Sequence, residues 1–310
     1  MDKKELDELD NLLLDHCYNM TILKRDAPAK KKETILNELL APIIRSYLGL
    51  EDVKDCISDV MNNKVVDLIF FDKGGDLFNN YISPKWVIFA KNLFKQRSVG
   101  LGTPNEASGE GELMFLFLSK DTTKPTKGDI QIDDQKIELK GEQVRVFGDI
   151  RGKDFRAKTV RIAKDFGLEP NKANRTNLDA VEIEKQQHLE YWERELSKLD
   201  LEKQREFIGE WLGCLDGNPH PNSLNKVFFN KKFEYPEFIK EIIKILYAAT
   251  VEKNKFDKFV YLGNGTDSIV LSSDLDEFNE RVDDGRIVFD ANYFRINQSQ
   301  PVGLYIKFSH

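Results

Sequence analysis

The chain has 310 residues, 40% of them hydrophobic, enough to bury the core of one large domain or of two. A formal net charge of −7 with 32% charged residues excludes a uniformly basic nucleic-acid coat, so a polyanion would have to bind at a local basic patch. Three cysteines (Cys17, Cys56, Cys214) without CxxC spacing and four histidines (His16, His188, His220, His310) without clustering predict neither a zinc site nor a disulfide framework.

The N-terminus, "MDKKELDELD", is acidic and polar where a signal peptide is basic and then apolar. No stretch approaches the ~18 apolar residues of a membrane helix, so a soluble, intracellular (cytoplasmic) protein is expected. Residues 1–97 read as a helical region. Apolar residues return at three and four in "ELDELDNLLLDHCYNM", in "KKETILNELLAPIIRSYLGL", where Pro42 predicts a kink or break, and in "EDVKDCISDVMNN". "VVDLIFF" is a short apolar run of either type, closed by the turn "DKGGD". "SPKWVIFAKNLFKQR" predicts a helix with Ser83 as N-cap and Pro84 in its first position.

Residues 98–111, rich in Gly, Ser and Pro, predict a loop, and "ELMFLFLSK" a buried helix opening near Ser108, with a core strand as the alternative. "TKPTKGD" reads as a turn, and "GDIQIDDQKIELKG" as a β-hairpin. With Asp134 and Gln135 as its turn, Ile132 faces Ile137, Gln131 faces Glu138, Ile130 faces Leu139 and Asp129 faces Lys140. The isoleucines and Leu139 then share one face, and Asp129, Gln131, Glu138 and Lys140 the other.

From Gln143 to Thr176 the chain turns basic, with nine Lys/Arg against four Asp/Glu. Residues 178–216 reverse this with eleven acids against five bases, and Leu189, Trp192, Leu196 and Leu199 space out an amphipathic helix. "GNPHPNS" is a break and "YPEFIKEIIKILYAAT" a helix. The tail supplies strands in "KFVYL", "SIVLSS", "RIVFDANYF" and "VGLYIKF", a turn in "YLGNGTDS" and a short helix in "DLDEFNERV".

Two carboxylates on adjacent strands suit a hard cation such as Mg²⁺, with Mn²⁺ as a substitute. A lysine two residues after the second acid points to the same face, where its ammonium can orient a water or stabilise charge on phosphate. Glu110 and Glu112 open the buried helix, and Glu112 is the better anchored because it directly precedes the apolar run. The set "GEGE", "GD" and "IELKG" resembles the PD-(D/E)XK nuclease superfamily, the restriction-endonuclease-like fold, over residues 108–150. Gly128 stands where the family name has proline.

The patterns along the chain predict an α+β or α/β class with helical N-terminal and central regions, and the resemblance implies a restriction-endonuclease-like mixed β-sheet core flanked by helices. It implies Glu112 as helix acid, Asp129 and Glu138 as strand ligands of Mg²⁺, and Lys140 as catalytic lysine. The basic segment, with Arg145, Arg151, Lys153, Arg156, Lys158 and Arg161, would then hold the DNA backbone; taken alone, it reads as a solvated helix and loop. The expected regions are 1–97 (helical), 98–176 (nuclease motifs and basic segment) and 177–310 (helices and C-terminal strands, "RIVFD" and "LYIKF" among them, completing the core sheet).

The expected function is a Mg²⁺-dependent endonuclease that cuts DNA phosphodiester bonds by attack of a metal-activated water. Concerted cutting of both strands would favour a homodimer. The alternatives are a non-cleaving DNA-binding or assembly protein on the same fold, an RNA nuclease, and a helical interaction protein with an incidental hairpin. A pure binder has no need of clustered carboxylates that repel phosphate.

Overall fold

In a computed structural model the chain is described at residues 3–26, 29–33, 36, 40, 44, 46, 48–95, 111–125, 128–141, 144–145, 155–168, 194–213, 235–290 and 305–308. The kink at Pro42, most of the loop 98–111, Leu189, Trp192, Cys214 and "GNPHPNS" lie outside them. The architecture is mixed α and β, and the chain divides into two compact units, residues 1–142 with 255–273 and residues 143–254 with 274–310.

In the first unit, helices α1 (Lys3–Asn19), α2 (Ala29–Glu33) and α3 (Leu50–Met61) precede a run of short ones. Buried Leu9, Leu13, His16 and Cys17 of α1, and Val53, Cys56 and Val60 of α3, follow the three-four spacing that buries one stripe of a helix. The run "VVDLIFF" is not a strand. Asp67 Oδ1 accepts the Ile69 N–H at 3.1 Å, a local turn that leaves Val66 in a single bridge to Ile82 and starts α4 (Phe70–Lys73).

Helix α5 (Leu77–Asn80) is capped by Asp76, whose Oδ1 accepts the Asn79 N–H at 3.0 Å. Helix α6 spans Val87–Phe94 and begins three residues later than the Ser83 cap predicted. The Ser83 N–H is held by Val65 O at 2.9 Å, and the Trp86 indole donates to Asp59 Oδ2 at 2.9 Å, so residues 83–86 form a turn and Trp86 takes the cap position.

Helix α7 (Glu112–Leu118) is buried at every residue, which is why its sequence shows an unbroken apolar run. Phe115 packs on Phe70 and Phe71 at ring distances of 6.0 and 4.8 Å, while Phe117 meets His16 and Phe89 at 4.6 and 5.9 Å. Each such ring contributes about 1.5–3 kcal/mol by leaving water, so α7 anchors the core.

The sheet of this unit has five strands in the order β1 (Thr122–Thr123), β2 (Ile130–Ile132), β3 (Gln135–Lys140), β5 (Lys258–Tyr261) and β6 (Ile269–Ser272). All neighbours are antiparallel except the parallel pair β3 and β5. The hairpin turns at Asp133 and Asp134, with Ile132 opposite Gln135 and Ile130 opposite Ile137, a register two residues from the expected one. Asp133 takes a positive φ of 49°, which Asp tolerates and which lets a two-residue loop close without glycine. A shift of two keeps every side chain on its predicted face, and Ile130, Ile137 and Leu139 are buried.

The second unit holds β4 (Val144–Arg145), α8 (Phe155–Asp165), α9 (Leu201–Leu212), α10 (Tyr235–Asn254), α11 (Leu275–Asp283), β7 (Ile287–Asp290) and β8 (Tyr305–Phe308). Tyr247 of α10 stacks on Phe278 of α11 at 3.6 Å, and Phe166 meets Phe207 of α9 at 5.6 Å. Leu196 is buried, but α9 starts after Asp200, whose Oδ1 caps the Lys203 N–H at 2.9 Å. The strands "RIVFD" and "LYIKF" do not extend the five-stranded sheet; β7 and β8 pair with each other, and β8 with β4, in a separate three-stranded antiparallel sheet. The strands that complete the first sheet are those of "KFVYL" and "SIVLSS".

Candidate active site

The open end of the β2–β3 hairpin holds three of the expected site residues. Asp129 donates its N–H to Ile137 O at 3.1 Å, and its Oδ2 accepts the Leu139 N–H at 2.8 Å. These two bonds fix the carboxylate across from Glu138. Glu138 and Lys140, two residues apart on β3, point to one face, and Lys140 Nζ lies 2.5 Å from Glu138 Oε1 and 4.0 Å from Asp129 Oδ2. At 4 Å a pair of unit charges attracts by about 4 kcal/mol in a medium of effective dielectric 20, and desolvation offsets much of this. Glu138 is 8% exposed, so its charge needs this partner.

Glu112 is the first residue of α7 and is 2% exposed. Its Oε1 accepts from the ammonium of Lys124, a residue hidden in what reads as the turn "TKPTKGD". No local pattern marks this pair, because helix start and strand end meet only in the folded chain. Helix α7 packs against β1 and β2. Gly111, at φ 80°, caps it where a Cβ would come within 2.7 Å of Leu262 Cδ1 and 3.2 Å of Phe94 Cε2. The Leu262 N–H in turn donates to Lys140 O at 2.8 Å. Lys124 follows Thr123, which pairs with Gln131 two residues from Asp129. Glu112 and Lys124 are thus tied to the strands that carry Asp129, Glu138 and Lys140.

Among the described residues no group of three or more His, Cys, Asp or Glu side chains is placed to hold a metal ion. What is gathered is the pair Asp129 and Glu138 with Lys140 between them.

The basic segment belongs to the second unit. In α8, Lys158, Arg161 and Lys164 recur at intervals of three and are exposed, while Ile162 and Ala163 are buried, which makes the described part an amphipathic helix with a basic face. Arg156 lies in the same helix and Arg145 in β4. Arg151 and Lys153 fall outside the described residues.

His16 is a core residue whose Nε2 lies 2.9 Å from Phe117 O and whose Nδ1 is buried without a hydrogen-bond partner. Burial holds its pKa below the usual value, with the bond to Phe117 O acting the other way. Cys17 and Cys56 are buried free thiols, each pushed up to about 12 by burial. Neither suits nucleophilic chemistry.

Among the described residues no helix is long and apolar enough to cross a membrane. No protein-family model, no curated protein and no solved structure matches the chain.

Proposed function

We propose that the chain is a metal-dependent nuclease that hydrolyses DNA phosphodiester bonds, with Asp129 and Glu138 as Mg²⁺ ligands, Lys140 orienting the attacking water, and Glu112 in support. The observation that carries this reading is one ammonium beside two carboxylates at the mouth of one hairpin, with Lys140 Nζ 2.5 Å from Glu138 Oε1 and 4.0 Å from Asp129 Oδ2. The order of elements supports it as well. A helix opening with an acid, a strand preceded by an acid and a strand bearing E-x-K follow one another in a mixed sheet, as in the restriction-endonuclease-like resemblance.

The donor set fits a hard divalent cation, since two carboxylates leave most of a six-oxygen shell to water and substrate phosphate, as Mg²⁺ is commonly held. The ion, when bound, supplies Lewis acidity toward a phosphoryl oxygen and makes water more acidic. The chain does the rest. The bond from the Leu139 N–H keeps the Asp129 carboxylate in place. The Lys140 ammonium donates to the attacking water and balances charge that builds on the phosphate. Arg145, Arg151, Lys153, Arg156, Lys158 and Arg161 hold backbone phosphates.

A specific observation favours a second reading, a DNA-binding or assembly protein that does not cleave. Glu112 and Glu138 each already have a lysine, Lys124 and Lys140, so the acids are neutralised in pairs without a cation. The deciding experiment incubates supercoiled plasmid, a single-stranded DNA oligonucleotide and its RNA counterpart with Mg²⁺, Mn²⁺ or EDTA, using wild type, Asp129→Asn and Lys140→Ala. Metal-dependent nicking that both folded variants lose is the expected result, and the DNA and RNA arms identify the substrate. DNA binding without cleavage, unchanged in Asp129→Asn, would establish the second reading.

A further inference from the structure

We propose that the Tyr261 ring stacks a nucleobase of the substrate beside Lys140, which makes the substrate of this site a DNA strand with an unpaired base rather than a closed duplex. This rests on the nuclease reading, in which Lys140 faces the phosphate that is cut.

The sheet itself brings the two side chains together. In the parallel pair of β3 and β5, Glu138 stands opposite Phe259 and Lys140 opposite Tyr261. Paired strands lie about 4.8 Å apart and residues in register share a face, so Tyr261 projects from the face that carries Glu138 and Lys140. Burial agrees with this. Ile137 and Leu139 join Val260 and Leu262 in the core on the other face, and alternation leaves Phe259 and Tyr261 on the face of the site. Phe259 is fully buried, whereas Tyr261, at the strand end, is half-buried.

The chain just past Tyr261 holds the ring in place. The Leu262 N–H donates to Lys140 O at 2.8 Å, and Ser268 Oγ donates to Leu262 O at 2.8 Å. Ser268 is paired in turn with Gly75 through two backbone bonds of 2.6 and 3.1 Å. Gly263, at φ 44°, lies along the Cδ1, Cε1 and Cζ side of the Tyr261 ring, where a Cβ would come within 3.1 Å of Cε1. The end of β5 is thus fixed to β3 and to the core before any ligand arrives.

A phosphate held at Lys140 places its own base within one nucleotide's reach of this ring. An aromatic ring accepts the π-face of any base, whatever the sequence. In a duplex both faces of a base are covered by stacked neighbours, so only an unpaired or extruded base can take the ring. Charge points the same way. Asp129 and Glu138 outnumber Lys140 at this site, so the face gains little from a second phosphate backbone, whereas stacking requires no charge.

The test places 2-aminopurine at successive positions of a short single-stranded DNA oligonucleotide and of the matching blunt duplex. Each is bound in Ca²⁺, a hard cation that takes the same oxygen ligands, by wild type, Tyr261→Phe and Tyr261→Leu. Stacking on the ring quenches this base. Quenching at one position of the single strand is expected for wild type and Tyr261→Phe, and none for Tyr261→Leu. The single-strand Kd, from anisotropy, should rise about five- to a hundredfold in Tyr261→Leu and stay near wild type in Tyr261→Phe, while the duplex Kd is the same in all three. In Mg²⁺, wild type should cut the single strand faster than the duplex.

A wild type that cuts DNA yet quenches no position of the single strand overturns the proposal and leaves the nuclease reading in place, and wild type alone decides this if Tyr261→Leu does not fold. So does a Tyr261→Phe variant that binds as weakly as Tyr261→Leu, which would assign the role to the hydroxyl. A Tyr261→Leu variant that loses single strand and duplex alike also overturns it, by making Tyr261 a structural residue of β5. Wild type that cuts neither substrate with Mg²⁺ or Mn²⁺ removes the nuclease reading and this proposal with it.

Discussion

At the scale of single residues, Asp129 has two roles that substitution can separate. Its Oδ2 accepts the Leu139 N–H at 2.8 Å, which ties the strand entry to β3, and its charge faces Lys140. Asp129→Asn keeps an acceptor and removes the charge, whereas Asp129→Ala removes both. Urea unfolding should therefore show Asn near wild type and Ala less stable by about 1–2 kcal/mol, while both lose Mn²⁺ binding. Ala and Asn equal in stability would show that the bond to Leu139 contributes nothing. His16 gives a second residue-scale prediction. Burial lowers its folded pKa, so below the unfolded value of about 6.5 the unfolded chain takes up a proton that the folded chain refuses. Its stabilising contribution is complete above pH 6.5 and is lost as pH falls below it, by at most about 1.4 kcal/mol per pH unit. His16→Gln retains a donor for Phe117 O and carries no titration. The difference in unfolding free energy between wild type and this variant should thus shrink or reverse between pH 7 and pH 5, and a constant difference would show that His16 is free to protonate in the fold.

At the scale of elements, face and register were legible to different degrees. Period-two alternation from Ile130 to Lys140 shows which residues share a face, and the structure places Ile130, Ile137 and Leu139 in the core as that pattern requires. Register depends on the turn, and with no Asn-Gly or Asp-Gly to mark it, the alternation fits Asp133–Asp134 and Asp134–Gln135 closings alike. Helix α7 was legible because burial on all sides demands an unbroken apolar run. The ion pair at its start was not, since Lys124 reaches Glu112 only after β1 has folded back along the helix. The element that positions Glu112 can be tested at Gly111. Its φ of 80° is left-handed, and a methyl group would press on Leu262 Cδ1 and Phe94. Gly111→Ala combines about 1–2 kcal/mol of backbone strain with overpacking of about 1–3 kcal/mol. The chain should lose roughly 2–5 kcal/mol on these two counts, with the midpoint of urea unfolding falling accordingly. A change under about 1 kcal/mol would mean that Leu262 and Phe94 yield freely.

At the scale of the whole molecule, the unit that carries Glu112, Asp129, Glu138 and Lys140 is discontinuous, made of residues 1–142 and 255–273. Its strands β5 and β6 were legible as strands in "KFVYL" and "SIVLSS", but not their destination. A parallel pair such as β3 and β5 needs a long crossover, and nothing local in an apolar pentamer names a partner so far away in the chain. The same gap let "RIVFD" and "LYIKF" read as strands of the first sheet, when they belong with β4. This discontinuity makes a sharp prediction about truncation. A chain ending at residue 254 removes Phe259, Val260, Leu262 and Leu271, all fully buried, and leaves one edge of β3 unpaired. At about 1.5–3 kcal/mol for each side chain, this loss rivals the entire net stability of a domain, about 5–15 kcal/mol. A chain ending at residue 273 retains every residue of the first unit. Urea unfolding should show a cooperative transition for the longer fragment and none for the shorter, and Mn²⁺ binding should survive only in the longer. If the fragment ending at 254 unfolds cooperatively and binds Mn²⁺, the hairpin and its helices form the site without β5, and the parallel pairing is dispensable to it.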